Sequence, residues 1–519
     1  MSDIQTVIEW LEWGAAAFAR AAREDKPILL SLVAPWCEHC AAMDHATYAR
    51  ADVTRLVDEL FVPVRVDTDR RPDINERYSL GGWPTTAFLT PAGEIFGGGT
   101  FIEPDRMPAV LTSVADAFVQ RRAEIDAVER AAVRDSGLQA SVDGAPRTLI
   151  QDPVEWLSVQ ILALCDADHG GFGDGAKFPH TPALMLALER YDETGDSHYA
   201  RVVTSSLDGM ARLHDELEGG FFRYASQPDW GRPHTEKVLL DNAVLIRLHL
   251  DAAAVLQRGD YLERAERALR WVHDKLAHLR EGGFSGSQAA DAAYYSLNTV
   301  NERASRVPPQ VDLTQYTDAN AEMISTYLRA ADVTQDERLR EFALRSLEQT
   351  VLNAYQPGGG MAHVSAPEAD VRGLLADQVS MVNALLRAHA ATGQLPYSML
   401  AAELMEYALH TMWDRMRGGF RDRANDGHDE LGLLRKGLSP FVVNCEAARM
   451  LSRLSTITGR KAYRETAEAT LASLGDTYRD DPLIGASYAL ALREVREGRL
   501  PPGMSLSYVD WRLSDTDDD

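Results

Sequence analysis

Lys26-Pro27-Ile28-Leu29-Leu30-Ser31-Leu32-Val33-Ala34-Pro35-Trp36-Cys37-Glu38-His39-Cys40-Ala41-Ala42-Met43 decides the fold of the first part of this chain. Ile28 to Val33 is a short apolar run bounded by Pro27 and Pro35, the length of a buried strand. Ala41, Ala42 and Met43 are helix formers, so the order predicts a strand that hands over to a helix N-terminus at Cys37. That placement has a chemical use. Free backbone N–H groups and the helix dipole favour a thiolate on the first cysteine. The two-residue spacing lets the second cysteine attack a mixed disulfide formed by the first. A protonated His39 between them favours the thiolate further.

Working outward, the strand pattern returns at Phe61 to Asp67 and again at Thr85 to Thr90, where Pro91-Ala92-Gly93 closes it. Trp83-Pro84 stands just before that last strand. A cis proline there turns neighbouring backbone toward an extended substrate. Strand, CxxC helix, strand, helix, X-Pro, strand, turn, strand is thioredoxin order. The candidate catalytic residues are therefore Cys37 as attacker and Cys40 as resolver, with His39, Trp36 and Pro84 around them. A zinc site needs four ligands. His45 offers a third beside the two cysteines and no fourth is in sight, so neither a metal nor a cofactor is assigned.

The chain has 519 residues, room for more than one packing unit. Its 78 acidic and 53 basic side chains leave a net charge of −25, which repels phosphate backbones and argues against nucleic-acid partners. No apolar run approaches the ~20 residues of a membrane span. Asp3 and Glu9 stand where a secretory signal needs basic residues, and 4 cysteines make no disulfide framework, so a cytoplasmic location is expected.

Val114 to Val133 reads as a solvent-facing helix, and Asp143-Gly144-Ala145-Pro146 breaks the chain after it. The expected divisions are a thioredoxin-like domain over 1–120, a linker helix and loop over 121–146, a helical domain over 147–510 and an acidic tail over 511–519. In the helical domain apolar residues recur at i, i+3, i+4 and i+7. Glycine loops interrupt them at Gly170-Gly171-Phe172, Gly219-Gly220-Phe221, Gly282-Gly283-Phe284, Gly359-Gly360-Met361 and Gly418-Gly419-Phe420, with Asp481 to Gly485 as a degenerate sixth. That spacing suits one helical hairpin per repeat. Polar residues open several of the next helices, namely Asp241-Asn242, Asp318, Asp377-Gln378 and Asn444. If the hairpins all point one way, these line one mouth; N-capping is the structural alternative.

Ile8-Glu9-Trp10-Leu11-Glu12-Trp13, Lys26 to Ser31, the CxxC, Arg71-Pro72-Asp73, Gly81-Gly82-Trp83-Pro84, Phe88-Leu89-Thr90-Pro91 and Gly98-Gly99-Thr100 resemble the spermatogenesis-associated protein 20 family, which includes the bacterial YyaL-like proteins. Pro233-His234-Thr235-Glu236-Lys237 with Leu240-Asp241-Asn242-Ala243 resembles its most recognisable barrel signature. The sequence departs from the family around the thiols, with Cys37-Glu38-His39-Cys40-Ala41 in place of the usual CHWCH core. The resemblance implies a multidomain α/β plus all-α protein: a thioredoxin-like domain, then an (α/α)6 toroid of the six-hairpin glycosidase and epimerase type.

Sugar epimerisation needs bases that titrate near neutral pH. His234 is the favoured one, since Glu236 and Lys237 lie beside it, and His169, His180 and His363 flank glycine loops. Glycosidase chemistry needs two carboxylates, for which Glu236, Asp241, Asp318, Asp377 and Glu446 are candidates. Lys177, Arg223 and Lys237 are the cations expected to face them, Asn242 and Asn444 complete the mouth, and Trp230 and Tyr224 are candidate stacking rings. The leading reading is thiol–disulfide exchange coupled to a barrel that binds an unidentified small molecule or a cysteine-containing protein. The alternatives are a carbohydrate-binding or carbohydrate-processing barrel, and a non-enzymatic docking platform.

Overall fold

The computed structural model describes residues 7–121, 124, 150–366, 369, 371–424 and 431–509. They form two compact units, the first comprising Met1–Thr148 with Asn425–Gly437, the second Leu149–Ala424 with Leu438–Asp519. The expected linker at 121–146 lies almost wholly outside the described residues, and the acidic tail at 511–519 entirely so. Among the described residues no helix is long and apolar enough to cross a membrane.

The first unit runs α1 (Ala15–Glu24), β1 (Ile28–Val33), α2 (Glu38–Met43), α3 (Ala51–Leu60), β2 (Val62–Asp67), α4 (Pro72–Tyr78), β3 (Thr85–Leu89), β4 (Ile95–Gly99) and α5 (Met107–Gln120). Its sheet has the order β2-β1-β3-β4. β1 runs parallel to β2 with Ile28 opposite Val62, and antiparallel to β3 with Leu32 opposite Thr85. β1 is apolar apart from Ser31 because helices cover both faces of the sheet. Leu30, Leu32, Val64 and Ala87 pack with Trp13, Phe18 and Tyr78, while Leu29 and Phe88 pack with Val53, Val57 and Leu111.

Residues Asn425–Gly437, read from sequence as barrel, group with this unit. Leu434 is buried in the same cluster as Trp13 and Phe18. The Tyr78 hydroxyl accepts the Leu433 N–H at 2.7 Å and donates to the Gly93 carbonyl at 2.9 Å.

The second unit is an (α/α)6 toroid. Its twelve longest helices are α6 (Pro153–Leu164), α7 (Thr181–Thr194), α8 (Ser197–Gly209), α9 (Leu239–Leu256), α10 (Gly259–Lys275), α11 (Thr317–Thr334), α12 (Glu337–Ala354), α13 (Leu375–Thr392), α14 (Leu395–Thr411), α15 (Phe441–Thr458), α16 (Lys461–Ser473) and α17 (Pro482–Glu497). The odd-numbered helices form the inner ring, each beside the next, with α17 returning to α7; the even-numbered ones back them, and α6 backs α17. The inner helices are buried on nearly every side, as α11 and α13 show.

Each glycine loop joins an outer helix to the next inner one, so the inner N-termini share one mouth. The glycines are required there: Gly220 has φ +77°, and a Cβ on it would sit 2.6 Å from the Trp271 ring. The fourth residue of four inner helices then pins the loop. Asn242 accepts the Phe221 N–H at 2.7 Å and donates to the carbonyls of Phe221 and Val238. Asn320 does the same for Phe284, Gln378 for Met361 and Asn444 for Phe420. Asn242 and Asn444 are therefore fully buried staples rather than mouth groups. They are not N-caps either, since they lie a turn inside the helix.

Candidate functional site

In the first unit Cys37 is the residue that caps α2, and its sulfur accepts the Cys40 N–H at 3.2 Å. A backbone donor aimed at this sulfur stabilises a negative charge on it. Cys40 is held the other way. Its thiol is pushed far above the ordinary range by its hydrogen bond with Cys37, then by burial and by the charge of Cys37. Both cysteines are free and buried, whereas His39 is exposed, its ring edge-on to Phe101 at 6.1 Å. Trp36 is buried and donates to Asp69 at 2.8 Å. Its ring meets Trp83 at 5.4 Å, and the Trp83–Pro84 bond is cis, with Pro84 buried at the head of β3.

In the second unit charged side chains gather at and just before the starts of three neighbouring inner helices, α9, α11 and α13. Beside the start of α9, Arg223 lies 3.5 Å from Glu236 and 3.9 Å from Asp241. Burial pushes both carboxyls up against the pull of Arg223, Asp241 to about 6. The Asp241 side chain is nevertheless 37% accessible, which marks a group on the wall of a hollow, reached by water but surrounded by protein. At the starts of α11 and α13, Asp318, His363 and Asp377 bring one ligand atom each within 4.8 Å of the others. His363 Nδ1 lies 2.9 Å from Asp377 Oδ1, and both side chains are sealed from solvent. Burial raises the Asp377 carboxyl, while His363 opposes that shift. An aspartate on Nδ1 fixes the imidazole so that Nε2 is its basic nitrogen. Two carboxylates and an imidazole at this separation also form a donor set that a divalent cation accepts.

The other expected mouth residues do different work. Lys177 and Lys237 are fully buried pegs. Lys177 donates to Asp166 at 2.6 Å, and Lys237 to Asp215 at 2.8 Å and to the Gly219 carbonyl at 2.7 Å. Each thereby ties down the aspartate that opens a glycine loop. Lys237 also sits over the rings of Phe222, Trp271 and Tyr295, and burial lowers its ammonium to about 8. His234 stacks on Tyr224 at 4.1 Å, and Tyr224 on Phe178 at 4.5 Å, so both Tyr224 faces are covered and only Phe178 presents an exposed ring. Trp230 is buried against Gly171 and Gly209, donates to the His169 carbonyl, and is core rather than a stacking platform.

The Thioredox_DsbH family, described as "Protein of unknown function, DUF255", matches residues 1–135. Spermatogenesis-associated protein 20 of Rattus norvegicus is 29% identical over 309 residues, covering 55% of this chain and 39% of that protein. Over that stretch the chain is similar to spermatogenesis-associated protein 20. It spans well under half the length of that relative. Protein disulfide isomerase-like 2-2 of Oryza sativa subsp. japonica is 35% identical over 79 residues, 15% of this chain and 21% of that protein. A sugar epimerase from a ruminal bacterium superposes with a TM-score of 0.51 at 14% identity, covering 66% of this chain and 86% of that one. That likeness is one of fold.

Deeper in the toroid lies a feature that the sequence did not announce. The thirteenth residue of every inner helix is charged: Glu193, Asp251, Arg329, Arg387, Arg453 and Glu494. It stands nine residues, about 14 Å, beyond the staples. Arg329 pairs with Asp251 at 2.7 Å, Arg453 with Glu494 at 3.0 Å, and Glu193 with Arg493 at 2.9 Å. One turn nearer the mouth, Arg247 pairs with Glu322 and Arg449 with Glu446 and Glu494. The signal was available in principle: a charge at one fixed place, the thirteenth, in each inner helix.

Proposed function

We propose that the first unit carries out thiol–disulfide exchange on cysteine-containing protein partners in the reducing cytoplasm. The observation that carries this reading is the Cys40 N–H directed at Cys37 Sγ, with Cys40 itself held protonated. The Cys37 thiolate attacks a partner disulfide, forming one S–S bond while the partner's breaks and its leaving sulfur takes a proton from water. Cys40 then gives up its proton and attacks Cys37 Sγ, which releases the second partner thiol and leaves a Cys37–Cys40 disulfide. A cellular dithiol returns the two electrons. Backbone beside Pro84 is the natural edge for an extended partner segment.

Cys37 alkylation followed against pH gives the test, together with insulin reduction by the wild type and by Cys37→Ser and Cys40→Ser. Alkylation at Cys37 is expected to titrate below the ~8.5 of a free thiol. Cys40→Ser is expected to trap a mixed disulfide, and Cys37→Ser to abolish turnover. An ordinary Cys37 titration without exchange ends the reading.

A second reading rests on the His363–Asp377 dyad at the mouth of the toroid. An imidazole oriented through Nδ1 fits proton removal at carbon next to a sugar carbonyl, with Asp318 as the nearby acid. Mono- and disaccharides are screened by thermal shift against wild type and His363→Ala. A ligand that stabilises the wild type and not the variant supports it; none across the panel refutes it.

A further inference from the structure

Five of the six charges at the thirteenth inner-helix position have a partner of opposite sign. Arg387 of α13 does not. Among the described residues it has no hydrogen bond or ion pair, and its Nε is sealed from water without a partner. Burial lowers this guanidinium to about 9, and the like charges of Arg247 and Arg453 add to the effect, against the opposing pull of Asp251 and Glu322. Those groups belong to α9, α11 and α15, so the Arg387 head lies among the inner helices and not on the outer surface. Both nearby carboxylates are already committed, Asp251 to Arg329 at 2.7 Å and Glu322 to Arg247 at 2.8 Å. The same neighbourhood is hollow: Arg247 and Glu322 keep 19% and 17% of their side-chain surface accessible although inner helices surround them.

A guanidinium partly withdrawn from water with no counter-charge is a standing cost, and an arginine fork matches a planar or tetrahedral oxyanion. We infer that the hollow of the second unit binds an anionic small molecule, whose carboxylate or phosphate group pairs with Arg387. Arg329 balances Asp251, Arg247 balances Glu322 and Arg453 balances Glu494, so Arg387 is the guanidinium left over, one positive charge that matches one anionic group. A neutral sugar would leave Arg387 as it is.

Inorganic phosphate, glucuronate and glucose are titrated into the full chain at low salt, read by thermal shift and calorimetry, with Arg387→Met and Arg387→Lys in parallel. The expected result is a rise in Tm with phosphate or glucuronate and none with glucose. Glucuronate acting alone names a carboxylate as the ligand group, and phosphate acting alone names a phosphate. Arg387→Met is expected to weaken binding at least about tenfold and to melt, without ligand, no lower than the wild type. Arg387→Lys keeps the charge and the fold but loses the fork, so it binds more weakly than wild type. No shift with either anion, the same affinity in Arg387→Met as in wild type, or an unliganded Arg387→Met that melts lower or fails to fold overturns the inference.

Discussion

Asn242→Ala tests whether the amides at the inner-helix starts hold the fold or meet a ligand. The Asn242 side chain makes three buried hydrogen bonds, to the N–H and the carbonyl of Phe221 and to the Val238 carbonyl. Alanine leaves all three backbone groups in place without a partner. At about 1 kcal/mol for each, the loss is about 3 kcal/mol. A unit of roughly 360 residues gains about 0.75 kcal/mol/K of entropy on melting, so its midpoint falls by about 4 °C. Asn242→Asp falls further, since a carboxylate then faces two carbonyl oxygens where an NH2 stood. Differential scanning calorimetry of the full chain reads the second unit's transition. An Asn242→Ala protein that melts within 1 °C of wild type, against this ~4 °C reckoning, would show that the amide does not staple the loop.

Lys237→Met leaves Asp215 in a sealed site with Arg303 at 2.6 Å as its remaining cation and the Leu217 N–H at 3.1 Å; a loss of about 3 kcal/mol is expected by chemical denaturation, and Asp215→Asn in the same chain should recover part of it. An unchanged midpoint for Lys237→Met would show that its ammonium holds nothing. Asp241 binds its proton more tightly folded, at about 6, than unfolded, at 3.8. Its contribution to stability is therefore whole below pH 3.8 and is lost as pH rises to about 6. Asp241→Asn should raise Tm at pH 8 and leave it unchanged near pH 4, by an amount held down by the water that reaches the side chain; equal effects at both pH values contradict the shift.

Legibility tracked sequence distance. The CxxC unit was readable because Ile28 to Met43 carries strand, motif and helix in one contiguous stretch, and Pro84 lies beside the strand it serves. The glycine loops were readable because positive φ and a ring packed against the backbone admit little else. Lys177 and Lys237 misled for a physical reason. Next to polar neighbours they look solvent-facing, yet a short antiparallel pairing turns each ammonium back on an aspartate 11 or 22 positions upstream. Asp318, His363 and Asp377 arrive from three separate segments, so no spacing announces them. His234 draws the eye because Glu236 and Lys237 adjoin it in sequence, while the buried histidine with a buried aspartate on its Nδ1 is His363. The row of thirteenth-position charges becomes visible only once each helix start is known to the residue.

The toroid is closed by α17 settling against both α7 and α6, the helix with which the ring begins. Roughly 330 residues separate the starts of α6 and α17. At the ~5–20 residues per second of synthesis, a nascent chain on the ribosome holds an open ring for tens of seconds. Throughout that interval the apolar flank of α7 has no neighbour on one side, and in its last few (~2–9) seconds Arg449 and Arg453 await Glu494. A chaperone that shields apolar helix faces would find its footing there, and a stop codon placed before Pro482 would leave that footing permanent.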